Sequence, residues 1–272
     1  MITIVTDSSS YFKKSEAQDS GIKVIPINFS VNGQRYSESY SDQNGDFESL
    51  LKGNCKYSTS HPSVSAFLGC FEEETRKNNE VLCITISSHL SGTYSSAYMA
   101  AKQIERNSIA VFDSQFTAGG LYLLVKEAKK LIDGGLTLHE IMEKLPAIRS
   151  RITIAFSVDD MTPLRNSGRI RFARMGIGTI LNIKPILVCI DGAVVSDGIA
   201  RGSTEIIKKL TEKINTNAQE VVLSYIGDNR LAVNLYHAVK DSVPRATVTL
   251  QKIGPILGIH LGLKVVAVSA IT

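Results

Sequence analysis

The chain has 272 residues, of which 43% are hydrophobic and 21% are charged, with no Trp and four Cys. These proportions exclude a collagen-like or a disordered chain, and four scattered cysteines do not form a disulfide framework. The net charge of +4 is unevenly placed, because 15 basic and 17 acidic residues precede position 151 whereas 15 basic and 9 acidic residues follow. The excess positive charge therefore lies in the second half of the chain.

In the first half, short β-branched runs alternate with longer segments of helical periodicity. This alternation predicts an α/β domain of three layers with a mainly parallel sheet. Strands are predicted at 2–6, 24–31, 81–86 and 109–112, and helices at about 62–77, 91–106, 117–133 and 137–148.

The second half begins with a predicted strand at 152–158 and a basic, glycine-containing loop at 163–178. A hairpin follows at 185–198, turning at Asp191 and Gly192, and then come helix, strand, helix and two late strands. This order predicts a smaller α+β domain. We therefore divide the chain into domains 1–150 and 151–272, and expect the ligand in the crevice between them.

Six arginines lie between positions 149 and 174, which is a density that suits an anionic ligand or partner. They are Arg149, Arg151, Arg165, Arg169, Arg171 and Arg174. A solvated basic face is an equally simple reading. Nucleic-acid binding is less favoured, because no aromatic stacking motif accompanies the arginines.

Several familiar site motifs are missing from the sequence. There is no G-x-x-x-x-G-K-[ST] loop and no G-x-S-x-G elbow, and the glycines of 176–178 lack the third small residue of a dinucleotide site. Cys and His are not spaced as metal ligands, so we expect no metal and no cofactor.

The first residues resemble a strand rather than a signal peptide, and the longest apolar run, near 180–195, is too interrupted to span a membrane. A cytoplasmic protein is expected.

Small hydroxyl residues are concentrated at two strand-to-helix junctions, 57–63 and 87–94. We expect Pro62 in the first turn of one helix and Ser91 as the N-cap of the other, with Gly92 allowing close approach of a ligand to the backbone. Free amides at helix starts favour a carboxylate or phosphate, and the two junctions could share one anion. The alternative is that these hydroxyls only cap their own helices.

A serine nucleophile with His61 or His89 as its base is a competing interpretation. It would make the protein a serine hydrolase or a phosphotransferase acting on acyl or phosphate esters at the same hydroxyl cluster. His260 stands among glycines that suggest tight turns, from which it could reach a ligand at the domain junction or lie satisfied in the core.

Eight short segments form an ordered set along the chain: 5–8 (VTDS), Thr59–Ser60, 87–93 (SSHLSGT), Asp113–Ser114, 168–170 (GRI), 183–186 (IKPI), Arg201–Gly202 and the G-x-H-x-G around His260. Taken together and in order, they resemble the DegV family of bacterial fatty-acid-binding proteins over the whole chain. Two positions depart from the family pattern. His61 stands where Gln is usual, and Gly262-Leu263-Lys264 replaces Gly-Pro-Gly.

The resemblance implies a carrier without catalytic residues that holds one long-chain fatty acid between two domains. Its carboxylate would be bound near Thr59 and Ser91. A separate ATP-dependent fatty acid kinase would act on the loaded protein to form an acyl phosphate for phospholipid synthesis, and an acyltransferase is a further candidate partner. The implied fatty-acid-binding residues are Thr59, Ser60, Ser91, Gly92, Thr93 and His260, and the implied kinase or phosphate contacts are Arg169 and Arg201.

Overall fold

The computed structural model describes residues 1–53, 55–104, 108–170 and 183–272, and within them the strands form three sheets. The strands of the first sheet are β1 (Ile2–Asp7), β2 (Lys23–Ile25), β6 (Glu80–Thr85) and β7 (Ile109–Asp113). Their order is β2-β1-β6-β7 and all pairs are parallel, which agrees with the predicted mainly parallel sheet.

Helices cover both faces of the first sheet and bury its apolar side chains. On one face, α3 (Val64–Arg76) and α4 (Thr93–Gln103) pack phenylalanines and alanines onto strands β1 and β6. On the other lie α5 (Ala118–Asp133) and α6 (Leu138–Arg149), the second of which begins with the capping box of Thr137 and Glu140. This arrangement confirms the three-layer α/β prediction.

A second, antiparallel sheet of order β4-β3-β5 carries part of the site. It consists of β3 (Ile27–Val31), β4 (Gln34–Glu38) and β5 (Tyr57–Ser60). The single strand predicted at 24–31 was wrong, because it is divided between two sheets at Pro26, which has no N–H to donate to a ladder. The short helix α1 (Lys14–Asp19) precedes this sheet in the chain, and α2 (Phe47–Leu50) lies between β4 and β5.

The third sheet contains six strands in the order β10-β9-β8-β13-β11-β12, and only the pair β11–β12 is parallel. Helices α8 (Gly202–Thr211) and α9 (Arg230–Ser242) pack on one face, which confirms the α+β prediction. Its strands are β8 (Ile152–Val158), β9 (Ile183–Ile190), β10 (Ala193–Arg201), β11 (Glu220–Ile226), β12 (Thr247–Lys252) and β13 (Val265–Ile271).

Helix α5 joins the first and third sheets, since it packs against strands of both. Its first turn comes very close to the third sheet. A Cβ atom on Gly120 would lie 2.4 Å from Cδ1 of Ile154, and one on Gly119 would lie 2.7 Å from Oγ of Ser269. A side chain at either position would therefore force these neighbouring side chains or the helix to shift. Because this helix belongs to both packing units, the division into 1–150 and 151–272 stays a prediction.

Two segments differ from the sequence-based prediction in the second half. Within the predicted basic loop 163–178, the structure has α7 (Thr162–Ser167), which ends at Gly168 with a φ of 70°. Residues 171–182, with Arg171, Arg174 and the glycines of 176–178, lie outside the described residues. His260 is on the short helix α10 (Pro255–Leu261) rather than between tight turns.

The β9–β10 hairpin turns at Asp191 and Gly192, as predicted. Its tip contacts the first half of the chain, where the Ser87 hydroxyl donates to the Gly192 carbonyl at 2.7 Å. Among the described helices, none is long and apolar enough to cross a membrane.

Candidate functional site

A pocket of about 1080 Å³, including its opening to solvent, lies between the first and third sheets. The wall is mostly apolar and is drawn from both sides of position 150. Its lining includes Ile27, Ile86, Leu90, Ile154, Phe156, Leu164, Val194, Ile256, Leu257, Leu261, Val265 and Ala267.

At the mouth of the pocket, Thr59 on β5 meets His260 on α10. The hydroxyl Oγ1 and the ring Nε2 lie 2.8 Å apart, and both residues are half-buried. The ring's Nδ1 is buried and has no hydrogen-bond partner among the described residues. One hydrogen bond therefore fixes the ring at the pocket opening.

His260 is held in its neutral form at ordinary pH. Burial, together with the nearby positive charge of Arg169, lowers the pKa of His260 from 6.5 to about 4. A neutral imidazole donates through one nitrogen and accepts through the other. With the proton on Nε2, the ring donates to Oγ1, and the Thr59 O–H is then free to donate to a ligand.

The second hydroxyl junction also reaches the pocket, through Ser91 and Gly92. The expectation that Ser91 is the N-cap of α4 was wrong, because Gly92 occupies that position and makes no side-chain cap. The Ser91 hydroxyl accepts a long hydrogen bond of 3.4 Å from the Thr93 amide and lies closer, at 2.8 Å, to the Thr93 hydroxyl. Ser91 thus lines the pocket. Thr93 lies behind it, is fully buried and does not line the pocket.

His61 connects the two junctions, since its ring would be 3.0 Å from a Cβ atom on Gly92. It lines the pocket beside Ser60, and both side chains are exposed at the mouth. Pro62 does not lie in the first turn of α3 as predicted, because Ser63 is the N-cap and accepts from the Ala66 amide at 3.2 Å.

Of the two arginines singled out from the sequence, Arg169 lines the pocket mouth and Arg201 does not line the pocket. The Arg169 guanidinium donates to the carbonyls of Leu90, at 3.4 Å, and Ser167. Arg201 is exposed at the start of α8, where its amide donates to Glu205 at 2.6 Å. The two arginines therefore belong to different surface features.

Behind the apolar wall lies a buried polar network that fixes three lining isoleucines through their backbone amides. The Ile86 amide donates to Asp7 at 2.7 Å, that of Ile27 to the Ser8 hydroxyl at 3.2 Å, and that of Ile256 to Glu38 at 3.1 Å. The Ser8 hydroxyl in turn donates to Glu38 at 3.2 Å. The shape of this wall therefore depends on side chains that do not line it.

Glu38 is almost completely buried, with 1% exposure. Burial, reinforced by the nearby charge of Asp7, raises the pKa of Glu38 to about 8, although hydrogen bonds from Ile256 and Ser8 oppose this rise. Its carboxyl group is thus mainly protonated at neutral pH. Sequence reasoning missed this residue, because Glu38 lies in a short polar strand without an apolar pattern.

Two further hydroxyl residues line the pocket and were not anticipated, Thr117 before α5 and Ser269 on β13. Thr117 occupies the N-cap position of α5, but its side chain makes no capping hydrogen bond. Its Oγ1 is buried and has no partner among the described residues. Nothing local in the sequence distinguishes them from other buried Ser and Thr.

The geometry gives no support to the hydrolase alternative. Within the described part of the chain, no serine hydroxyl is hydrogen-bonded to a histidine ring, and the Thr59–His260 pair has no carboxylate on Nδ1. A nucleophile of this type needs a base that a third group orients. In the same residues, no group of three His, Cys, Asp or Glu could hold a metal ion.

A family model for uncharacterised proteins of the DegV family matches residues 1–272. The chain belongs to the DegV family. This confirms the resemblance inferred from the motifs. A DegV domain-containing protein of Halalkalibacterium halodurans is 31% identical over 268 residues, covering 96% of this chain and 95% of the relative. One from Staphylococcus aureus is 29% identical, covering 86% and 81%.

Solved DegV structures share the fold over the full length. A DegV family protein from Thermus thermophilus, described as fatty acid binding, is 28% identical with a TM-score of 0.89, covering 100% of this chain and 99% of the other. DegV of Bacillus subtilis has a TM-score of 0.86 at 24% identity, covering 100% and 99%. The arrangement of helices and sheets described above is thus shared with these DegV structures.

Proposed function

We propose that this protein binds one long-chain fatty acid in the pocket, with the carboxylate at Thr59 and Ser91 and the acyl chain inside. The observation that carries this proposal is the polarity of the pocket, whose interior is apolar and whose mouth has Thr59, Ser91 and His260. The fatty acid binding described for the Thermus thermophilus protein supports it.

The acyl chain would supply the affinity. Burying about 16 carbons at roughly 0.8 kcal/mol per methylene gives about 12 kcal/mol before the costs of association. The carboxylate would add little net energy but would fix the direction of the ligand, since a buried charge without donors costs several kcal/mol.

At the mouth, Thr59 and Ser91 would act as donors, with Ser60, Gly92 and Thr93 shaping the junction. His260 would donate to Thr59 and so direct the threonine proton toward the carboxylate. No cofactor is needed for this binding. The neutral state of His260 suits this role, because a neutral imidazole donates at one nitrogen, here Nε2, and keeps the other, Nδ1, as an acceptor.

We further propose that the loaded protein is presented to a separate ATP-dependent fatty acid kinase in the cytoplasm, with an acyltransferase as the next partner. The sequence has no phosphate-binding loop of its own, so a second protein would supply ATP chemistry. Arg169 at the mouth would contact a phosphoryl group, and the exposed Arg201 would contact the kinase surface.

Native mass spectrometry of the purified protein, followed by lipid extraction, tests the binding proposal. We expect an adduct with the mass of one long-chain fatty acid. A protein that carries no such adduct and also fails to bind added stearate in a titration would contradict the proposal.

A further inference from the structure

We infer that the inner end of the pocket is a second polar site, which binds a neutral oxygen function, a hydroxyl or a ketone, on the distal part of an acyl chain. This inference rests on the proposed fatty acid binding and extends it to the class of lipid. The hydroxyls of Ser269 and Thr117 and the first amides of α5 form this inner site.

Ser269 supplies the first group. It is 1% exposed, lines the pocket, and makes no side-chain hydrogen bond within the part of the chain that the structure describes. Its Oγ lies against the first turn of α5, 2.7 Å from the Cβ position of Gly119. Buried hydroxyls are normally hydrogen-bonded, so a hydroxyl at the wall of a cavity is suited to bind a polar group of a ligand.

The start of α5 supplies the second group. Thr117 Oγ1 is buried and without a partner among the described residues, and both Thr117 and Ala118 line the pocket. The amides of Ala118 and Gly119 have no acceptor in the described residues either, as expected at the start of a 16-residue helix. Hydroxyls and amide donors therefore meet at one place.

The inner site is well separated from the mouth. On β13, Val265 and Ser269 both line the pocket, and four residues of strand span about 14 Å. Val265 follows closely after α10, the helix that carries His260 at the mouth. A fatty acid whose carboxylate is at Thr59 would thus bring the distal part of its chain to Ser269.

The charges along the wall limit the chemistry of the bound group. Among the residues that line this pocket, the ionisable cationic side chains are His61, Arg169 and His260, which belong to the mouth. The inner end thus offers hydrogen-bond donors but no counter-ion for a full negative charge. A neutral hydroxyl or ketone oxygen fits such a site better than a second carboxylate.

Calorimetric titration of the delipidated protein tests the inference with four probes: stearate, a mid-chain hydroxystearate, ω-hydroxystearate and α-hydroxystearate. We expect at least one of the two distally hydroxylated acids to bind within about threefold of stearate or more tightly. In Ser269→Ala, and more so in Ser269→Ala with Thr117→Val, that acid should bind roughly tenfold more weakly, while stearate is unaffected or gains affinity. Binding of α-hydroxystearate, whose hydroxyl remains at the mouth, should follow stearate.

Ser157→Ala is the matched control. Ser157 is a buried strand serine of the same sheet, 3% exposed and also without a side-chain partner among the described residues, but it does not line this pocket. It should leave all four affinities unchanged. The inference would be overturned if Ser269→Ala lost affinity equally for stearate and the hydroxylated acids. It would also be overturned if the wild type bound both distally hydroxylated acids tenfold more weakly than stearate. Either result would leave fatty acid binding intact. Failure of the wild type to bind stearate at all would overturn both.

Discussion

The Thr59 hydroxyl and Nε2 of His260 lie 2.8 Å apart although 201 positions separate them in the chain. The bond connects a strand of the small second sheet to the helix that precedes the last strand of the third sheet. The mouth of the pocket is therefore assembled from both ends of the sequence, and its polar groups depend on one another.

Thr59→Ala should weaken the binding of stearate by about 1 to 3 kcal/mol, because it removes a donor to the buried carboxylate. Thr59→Ser, which keeps the hydroxyl, is the control and should retain most of the affinity. The corresponding fatty alcohol has the same acyl chain without the carboxylate, so its affinity should change less than that of the acid in Thr59→Ala. This comparison distinguishes contacts to the carboxylate from contacts to the chain. A titration in which Thr59→Ala binds stearate as the wild type does would contradict the assignment.

Protonation of His260 should destabilise the protein as pH falls. The pKa of His260 is about 4 in the folded protein against 6.5 ordinarily, so the unfolded chain binds the proton first. The free energy of unfolding should decline as pH falls from about 6.5 to about 4, and His260→Gln should lack this part of the decline. Urea unfolding at several pH values in that window measures it.

His139→Gln is the control for this series, because His139 is exposed on α6 beside Glu143. It should unfold with the same pH dependence as the wild type. If His260→Gln and the wild type lose stability in parallel across the window, then His260 does not contribute to it.

Glu38 should give the opposite trend. Because the pKa of Glu38 is raised from 4.5 to about 8, the folded protein keeps a proton that the unfolded chain releases, and stability falls as pH rises through that interval. Glu38→Gln retains an acceptor for the Ile256 amide and should remove this fall. Thermal unfolding between pH 5 and 8, compared for both proteins, is the measurement.

Glu74→Gln is a control in which the ionised carboxylate, rather than the protonated one, stabilises the folded protein. Burial raises the pKa of Glu74, but hydrogen bonds from Lys23, Thr3 and Asn79 outweigh it and lower the pKa to about 2. Its ionised form thus stabilises the protein at neutral pH, and the amide should cost stability there. A Glu38→Gln variant that behaved like Glu74→Gln would contradict the protonated state inferred for Glu38.

Arg169→Ala should preserve the binding of stearate and slow acyl phosphate formation by a purified fatty acid kinase. Among the described residues, Arg169 donates to backbone carbonyls only, so its guanidinium is not needed to build the apolar wall. Arg201→Ala should weaken the association with the kinase without changing stearate affinity. Loss of stearate binding in Arg169→Ala would assign that residue to fatty acid binding rather than to contact with the kinase.

Much of the fold could be predicted because its signals are local. The β-branched runs of the parallel sheet and the Asp191–Gly192 turn follow directly from side-chain shape and backbone freedom. Strand β5 was missed because its residues are polar and mostly exposed, at the edge of a small sheet. Strand β4 could have been found, since Asn32 and Gly33, both with positive φ, form the kind of turn that joins hairpin strands.

Hydroxyl residues that line the pocket were predictable where they cluster along the chain, as at Thr59, Ser60 and Ser91. The roles of Glu38, Thr117 and Ser269 were not, because each depends on what tertiary packing brings against it. Glu38 matters through the amide of Ile256, and Ser269 through the first turn of α5. No local pattern encodes such distant pairings.

The close contact of α5 with the third sheet also bears on how the chain can be divided. That helix buries Leu121, Leu124 and Val125 completely, within a core that continues into strands β8 and β13. If the chain were cut near position 150 and the two pieces were produced separately, each would present a broad apolar face to water and would aggregate. Complementation would require both fragments in the same cell, where each could fold against the other.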